Sequence, residues 1–239
     1  MVQVSKVLSE FASSLTYEGL PEEVRTRSKQ LILDLVGNII RARHDAESTP
    51  SVVSAMKRLG YGNGKCTVLG DTDSYSAPGA AMINGTLAHS LDFDDTHSAG
   101  SIHSGAPIVP AAFAVAEMVG ASGKDLIVAI VAGYEIQIRL SLALVPSDHY
   151  DRGFHPTATC GIFGAAAAAG KLMGLDAAGI ARAFGVALSQ SAGSMQFLHE
   201  GGWTKRSHVG QAAMNGVIAA TMADEGFRGA IDPIEGKNG

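Results

Sequence analysis

The run Pro156 to Leu172 reads Pro-Thr-Ala-Thr-Cys-Gly-Ile-Phe-Gly-Ala-Ala-Ala-Ala-Ala-Gly-Lys-Leu. It constrains the fold more than any other stretch. Proline fits the first turn of a helix, and five successive alanines are strong helix formers. Gly161 and Gly164 leave almost no side chain on one face, so a neighbouring helix can approach to backbone contact. Ala-rich stretches recur along the chain, while aromatic residues make up only 6% of it. This points to close helix packing through small side chains rather than a β-sandwich.

Further helix signals follow. Pro21-Glu-Glu23 opens a helix in which Val24, Leu31, Ile32, Leu35, Val36, Ile39 and Ile40 recur at helical spacing to about Arg43. Helices are expected from Pro50 to Leu59, from Ser76 to about Leu91, and from near Pro107 to Val119. Ser122-Gly-Lys-Asp125 is a capping-box start for a helix to about Leu144, apolar on most faces and therefore central. Residues 145–154 read as a polar loop. Helices from Ala177 to Ser191 and Gln211 to Glu225 complete the set. Cys66-Thr-Val-Leu69 reads as one extended segment without an obvious partner. The expected class is all-α: one helical domain over 1–239, with no sheet of more than two strands.

Composition excludes several functions. With 46% hydrophobic and 17% charged residues, the 239-residue chain is long and apolar enough for a sizeable core. A net charge of −5 with no basic run argues against nucleic acid or an anionic membrane as partner. The longest apolar stretch, Leu126 to Tyr134, is about half a membrane span. Two cysteines, Cys66 and Cys160, suit neither a disulfide framework nor a metal motif. The opening residues lack the blocks of a signal peptide, and a cytoplasmic location is expected. Dinucleotide, P-loop and serine-hydrolase motifs are absent, so no nucleotide cofactor is expected.

Four polar constellations carry the chemistry. His89-Ser-Leu-Asp92-Phe-Asp94-Asp95-Thr96-His97 packs three carboxylates and two histidines into nine residues. On a helix, His89 and Asp92 would share a face. Three readings stand: carboxylates that orient histidines and a substrate, a metal site, or a polar helix end. Ile102-His103-Ser-Gly-Ala-Pro107 and Gly153-Phe-His155-Pro156 each place a histidine before a helix start, where unpaired N–H groups favour anions; a loop histidine is the plainer reading of both. Gly201-Gly-Trp-Thr204-Lys205-Arg206-Ser-His208 is a compact basic cluster, either a solvated loop or a carboxylate clamp, with Lys205 as a point charge and Arg206 as a fork. Together they suit proton abstraction beside a carboxylate.

At these residues the sequence resembles the MmgE/PrpD family, which includes 2-methylcitrate dehydratase, cis-aconitate decarboxylase and iminodisuccinate epimerase. The matching segments are Asn84 to His97, His103-Ser-Gly-Ala-Pro107, Gly153-Phe-His-Pro156 with Phe163 to Ala169, and Thr204-Lys-Arg206. The resemblance implies the family's helical N-terminal domain, a homodimer, and action on small di- or tricarboxylates without metal or organic cofactor. It implies Asp92, His103, His155 and Lys205 as catalytic residues, with Thr96 and Arg206 binding substrate. Dehydration of a 2-methylcitrate-like acid is the first expectation, with decarboxylation, epimerisation or an inactive helical module as alternatives.

Two departures stand out. Ser104 follows His103 where the family usually has proline. The family's α+β lid domain is absent from this sequence, so a separately encoded lid is a candidate partner. A metal-dependent hydrolase built on His89, Asp92, Asp95 and His97 is the competing reading. If it fails, a chelator leaves any activity unchanged.

Overall fold

A computed structural model describes residues 3–239. Those residues form eleven α-helices, one 3-10 turn and a two-stranded hairpin. The all-α expectation therefore holds. The helices are α1 (Val4–Ser14), α2 (Glu22–Asp45), α3 (Thr49–Arg58), α4 (Ala77–Ala88), α5 (Gly105–Val119), α6 (Gly123–Ala143), α7 (Pro146–Asp151), α8 (Pro156–Leu172), α9 (Ala177–Leu188), α10 (Phe197–Glu200) and α11 (Thr204–Asp224). Strands β1 (Gly62–Thr67) and β2 (Ser74–Tyr75) pair antiparallel between α3 and α4.

Helix α8 is the axis of the domain. Every residue from Pro156 to Gly170 is buried, and α5, α6, α9 and α11 pack around it. The small residues make this possible. Gly133 on α6 and Gly164 on α8 face each other so closely that a Cβ on either would lie 2.8 Å from the other's carbonyl oxygen. Gly85 on α4 meets Gly210 on α11 in the same way, a Cβ on Gly85 falling 2.8 Å from the Gly210 Cα. Larger side chains fill the spaces between helices, with Phe184, Leu35, Ile39, Ile83 and Ile136 fully buried. Helix α6 is long and apolar enough to cross a membrane, but more than half of its apolar stretch is buried in this core. Its start is the expected capping box: Ser122 accepts from the Asp125 N–H and Asp125 from the Ser122 N–H.

The elements differ from the sequence reading at several places. Helix α1 was not anticipated, although Val4, Val7, Leu8, Phe11 and Ala12 recur at helical spacing in the sequence and Leu8 and Ala12 are buried. The extended segment around Cys66 does have a partner, Ser74-Tyr75. Asn84 fixes that hairpin to α4, its Nδ2 donating to the Thr67 carbonyl and its Oδ1 accepting from the Leu69 N–H. Residues 145–154 contain the short helix α7. Helix α4 stops at Ala88 instead of Leu91, and α11 begins at Thr204, a full two turns before Gln211. The last two changes decide the geometry of the polar cluster described below.

The close approach of α11 to α4 has a direct test. A Cβ on Gly210 would collide with the Met82 carbonyl and the Thr86 hydroxyl and lie 2.9 Å from the Thr86 nitrogen. Gly210→Ala should therefore cost at least about 1–3 kcal/mol, the usual range for overpacking, despite alanine's better helix propensity. Urea unfolding, with the midpoint lowered at unchanged slope, checks it.

Candidate active site

Four histidines meet where α4, α8 and α11 converge. The His89 and His103 rings are 4.6 Å apart between centroids, His89 and His155 5.8 Å, and His155 and His208 5.8 Å. Phe197 from α10 closes one side, 6.1 Å from His155 and 5.7 Å from His208. His89 caps the end of α4, His155 precedes the first turn of α8, and His208 is on α11. His103 lies just before α5, with its backbone N–H donating to the Thr157 hydroxyl.

The segment between α4 and α5 carries the carboxylates. The chain leaves the helix after Ala88, and Asp92 adopts a left-handed backbone (φ 59°), which aspartate tolerates better than most residues. The helical i, i+3 pairing of His89 with Asp92 is thus corrected. The two still approach, His89 Nδ1 to Asp92 Oδ1 at 4.0 Å, because the chain turns back on itself. Asp92 projects outward and accepts two hydrogen bonds from Lys205 Nζ, at 2.7 and 2.8 Å. Asp94 turns inward. Its Oδ2 lies 2.9 Å from His89 Nδ1 and 3.4 Å from His103 Nδ1, and its side chain is fully buried. Asp95 accepts from the Gly105 N–H at 3.1 Å. The start of α5 is therefore capped by this carboxylate and is not the open anion site that the sequence suggests for His103.

Other contacts hold the frame. The Gln137 side chain donates to the Thr157 carbonyl at 3.1 Å, and Ser141 donates to the Gly100 carbonyl at 2.6 Å. The His155 N–H donates to the Gly193 carbonyl at 2.8 Å, tying the start of α8 to the segment before α10.

The electrostatics separate the histidines. Burial opposes charge on His103, but Asp94 and then Asp92 outweigh it and raise its pKa above the ordinary histidine value. Burial dominates at His155; with the neighbouring His89, His208, Lys205 and His103 it lowers the pKa to about 2. At Asp94 burial would raise the pKa, yet His103 and His89 together bring it down to about 2. One imidazole is thus biased toward the cation and another is held neutral. The buried nitrogens His89 Nε2, His155 Nδ1 and His208 Nδ1 have no hydrogen-bond partner, leaving polar groups at the cluster for a ligand to satisfy.

Of the six residues singled out in the sequence, the structure brings Asp92, His103, His155 and Lys205 together. Arg206 turns away: its guanidinium donates to Ser48 Oγ at 3.1 Å and lies 5.9 Å from the Trp203 ring. Thr96 lines a groove of about 650 Å³ with Arg27, Asp95, His97 and Tyr134, a set that includes none of the four clustered histidines. Asp94, His89 and His208 were not among the six. His208 had a signal in the sequence, since it is three residues after Lys205 on one helix and so shares its face. Asp94 had none beyond its place among three carboxylates.

Fold and cluster together define a helical domain that gathers histidines, carboxylates and a lysine at the meeting point of its helices. Residues 6–239 match the MmgE/PrpD N-terminal domain. The chain is 32% identical to a cis-aconitate decarboxylase-like protein of Aspergillus oryzae over 95% of its length and 48% of the relative's. It is 31% identical to the cis-aconitate decarboxylase of Aspergillus terreus, over 97% of this chain and 48% of that one. For the human cis-aconitate decarboxylase the figures are 34%, 88% and 44%. The chain belongs to the MmgE/PrpD family, and it spans about half the length of these relatives.

The opposed histidines predict a stability profile. His103, with a raised folded pKa, stabilises below the unfolded value near 6.5 and loses that contribution as pH rises through its folded pKa. His155 is depressed, so the unfolded chain gains a proton that the folded chain refuses, and stability falls as pH drops below about 6.5. Melting temperature should flatten below that pH in His155→Gln relative to wild type. In ring-proton NMR, His103 should titrate above the ordinary histidine range and His155 should remain neutral down to pH 5.

Proposed function

We propose that this domain carries the proton-transfer centre of a lyase acting on a small polycarboxylate. The observation that supports it is the pairing of His103, biased toward the cation by Asp94, with a neutral and nearly inaccessible His155 beside Lys205. Such a site can deliver a proton to carbon and hold an anion beside the donor. Among substrates, we favour a cis-aconitate-like acid, following the activity named for the relatives.

In that reaction a carbon–carboxylate bond breaks and leaves as carbon dioxide. Its electron pair becomes a new carbon–carbon double bond, and the electrons of the old double bond take a proton at the adjacent carbon. His103, biased toward its protonated form, is the donor we assign to that proton. Lys205 spends two N–H groups on Asp92 and has a third for a substrate carboxylate. His155 supplies a neutral hydrogen-bonding ring. Dehydration of a 2-methylcitrate-like hydroxy acid, the sequence-based expectation, is the second reading. The same opposed histidines favour it, since it needs one ring to take a proton and another to assist the leaving hydroxyl.

Apolar side chains flank the cluster along the chain: Phe93 is 75% exposed and Leu198 66% exposed. We place on this rim the further chain that the relatives possess, either in one longer protein or as a separate lid, with closure excluding water. A homodimer is proposed on the family resemblance, and a cytoplasmic location on the two buried free cysteines, Cys66 and Cys160, which suit a reducing compartment.

The test is an assay with cis-aconitate carrying ¹³C in its carboxylates, and in parallel with 2-methylcitrate. It is run on the chain alone and with the lid half supplied. Carbon dioxide release marks decarboxylation and loss of water marks dehydration; neither product from the completed protein would sink the lyase reading. His103→Gln should lower turnover by about 10²–10⁴. Arg206→Ala should leave kcat close to wild type, because that side chain faces Ser48. Activity should decline as pH rises through the raised pKa of His103.

A further inference from the structure

The sequence reading expects no metal, and the metal site it weighs does not form. His97 Nδ1 accepts from the Gly100 N–H at 3.0 Å, and Asp95 caps α5. A different set does converge. One ligand atom each from His89, Asp92, Asp94 and His103 lies within 4.8 Å of all the others. The individual spacings are 2.9 Å from His89 Nδ1 to Asp94 Oδ2, 3.4 Å from His103 Nδ1 to the same oxygen, and 4.0 Å from His89 Nδ1 to Asp92 Oδ1. Tetrahedral zinc with bonds near 2.0 Å requires ligand atoms roughly 3.3 Å apart, inside that spread. His103 Nδ1 is buried and, at 3.4 Å from Asp94, makes no hydrogen bond. Two imidazoles with two carboxylates select a borderline ion such as zinc over magnesium or calcium.

We propose that His89, Asp92, Asp94 and His103 form a zinc-class divalent cation site, and that Lys205 normally occupies its outer position as a built-in cation. Lys205 Nζ already holds both oxygens of Asp92, so it neutralises the one solvent-facing ligand and repels a second cation. Zinc and Lys205 are mutually exclusive partners of Asp92. Where the cluster also performs the chemistry proposed above, zinc is an inhibitor, because it takes His103 and Asp92 out of use. The binding itself does not depend on that reaction.

The experiment is a zinc titration of the metal-stripped chain against a chelating indicator, read alongside histidine ring NMR. Lys205→Met should bind zinc about tenfold or more tightly than wild type, from removal of one adjacent positive charge. His103→Gln in that background should weaken binding by at least about tenfold, as for loss of a ligand. Zinc should move the His89 and His103 resonances and leave His44 and His199 in place. His103 is the less buried histidine of the pair, and a thermal melt shows whether its variant is folded. If that variant does not fold, the resonance shifts in the Lys205→Met chain alone decide. Unchanged affinity in Lys205→Met, or zinc shifts confined to histidines outside the cluster, would overturn the proposal.

Discussion

Backbone-to-backbone contact between helices is the constraint on which the rest of the structure depends. At Gly133 with Gly164, and at Gly85 with Gly210, no side chain separates the helices. Alanines elsewhere on α8 keep the same spacing, and all five from Ala165 to Ala169 are fully buried. Close spacing has a chemical consequence. It brings the end of α4, the start of α8 and the first turns of α11 near enough for imidazole rings to touch. A core of leucine and phenylalanine at these crossings would move the helices apart by ångströms and disperse the histidines.

Within that frame Asp94 is the centre of the polar cluster. A buried carboxylate is costly unless its charge is compensated, and His89 and His103 compensate it from two sides. The same contacts bias His103 toward its protonated form. His155 receives no such partner and is surrounded by groups of like charge, so burial keeps it neutral. Two chemically identical side chains therefore acquire opposite proton preferences from their neighbours, which is the usual route to distinct acid and base roles. Asp92 and Lys205 sit at the outer edge, where solvent screens their pairing and a ligand can share it.

The family and the fold class were legible in the chain, and so was the set Asp92, His103, His155 and Lys205 that the fold gathers into one cluster. Helix starts at Pro21, Ser122 and Pro156 announced themselves through proline, paired glutamates and a capping box. The beginning of α11 did not, because Thr204-Lys-Arg-Ser-His208 has no apolar residue before Val209, and the turn is held by what it faces. Helix α4 was read three residues too long because His89-Ser-Leu-Asp92 is compatible with helix locally. Only the left-handed Asp92 and the pull of Asp94 toward the interior end it there.

What the sequence determined by itself is the inventory: small residues that demand close helices, and histidines and carboxylates placed at helix junctions. Helix propensity, capping and residue volume are local properties, so they are readable one segment at a time. Which carboxylate each histidine meets was decided only by tertiary structure. Asp92, Asp94 and Asp95 are near neighbours of the same charge, yet one takes Lys205, one takes two imidazoles and one caps a helix. That division follows from the direction in which each side chain leaves a folded turn, and no spacing rule along the chain encodes it. Arg206 shows the same limit. It is adjacent to Lys205, but the helical rotation between successive residues turns it toward Ser48 and away from the cluster.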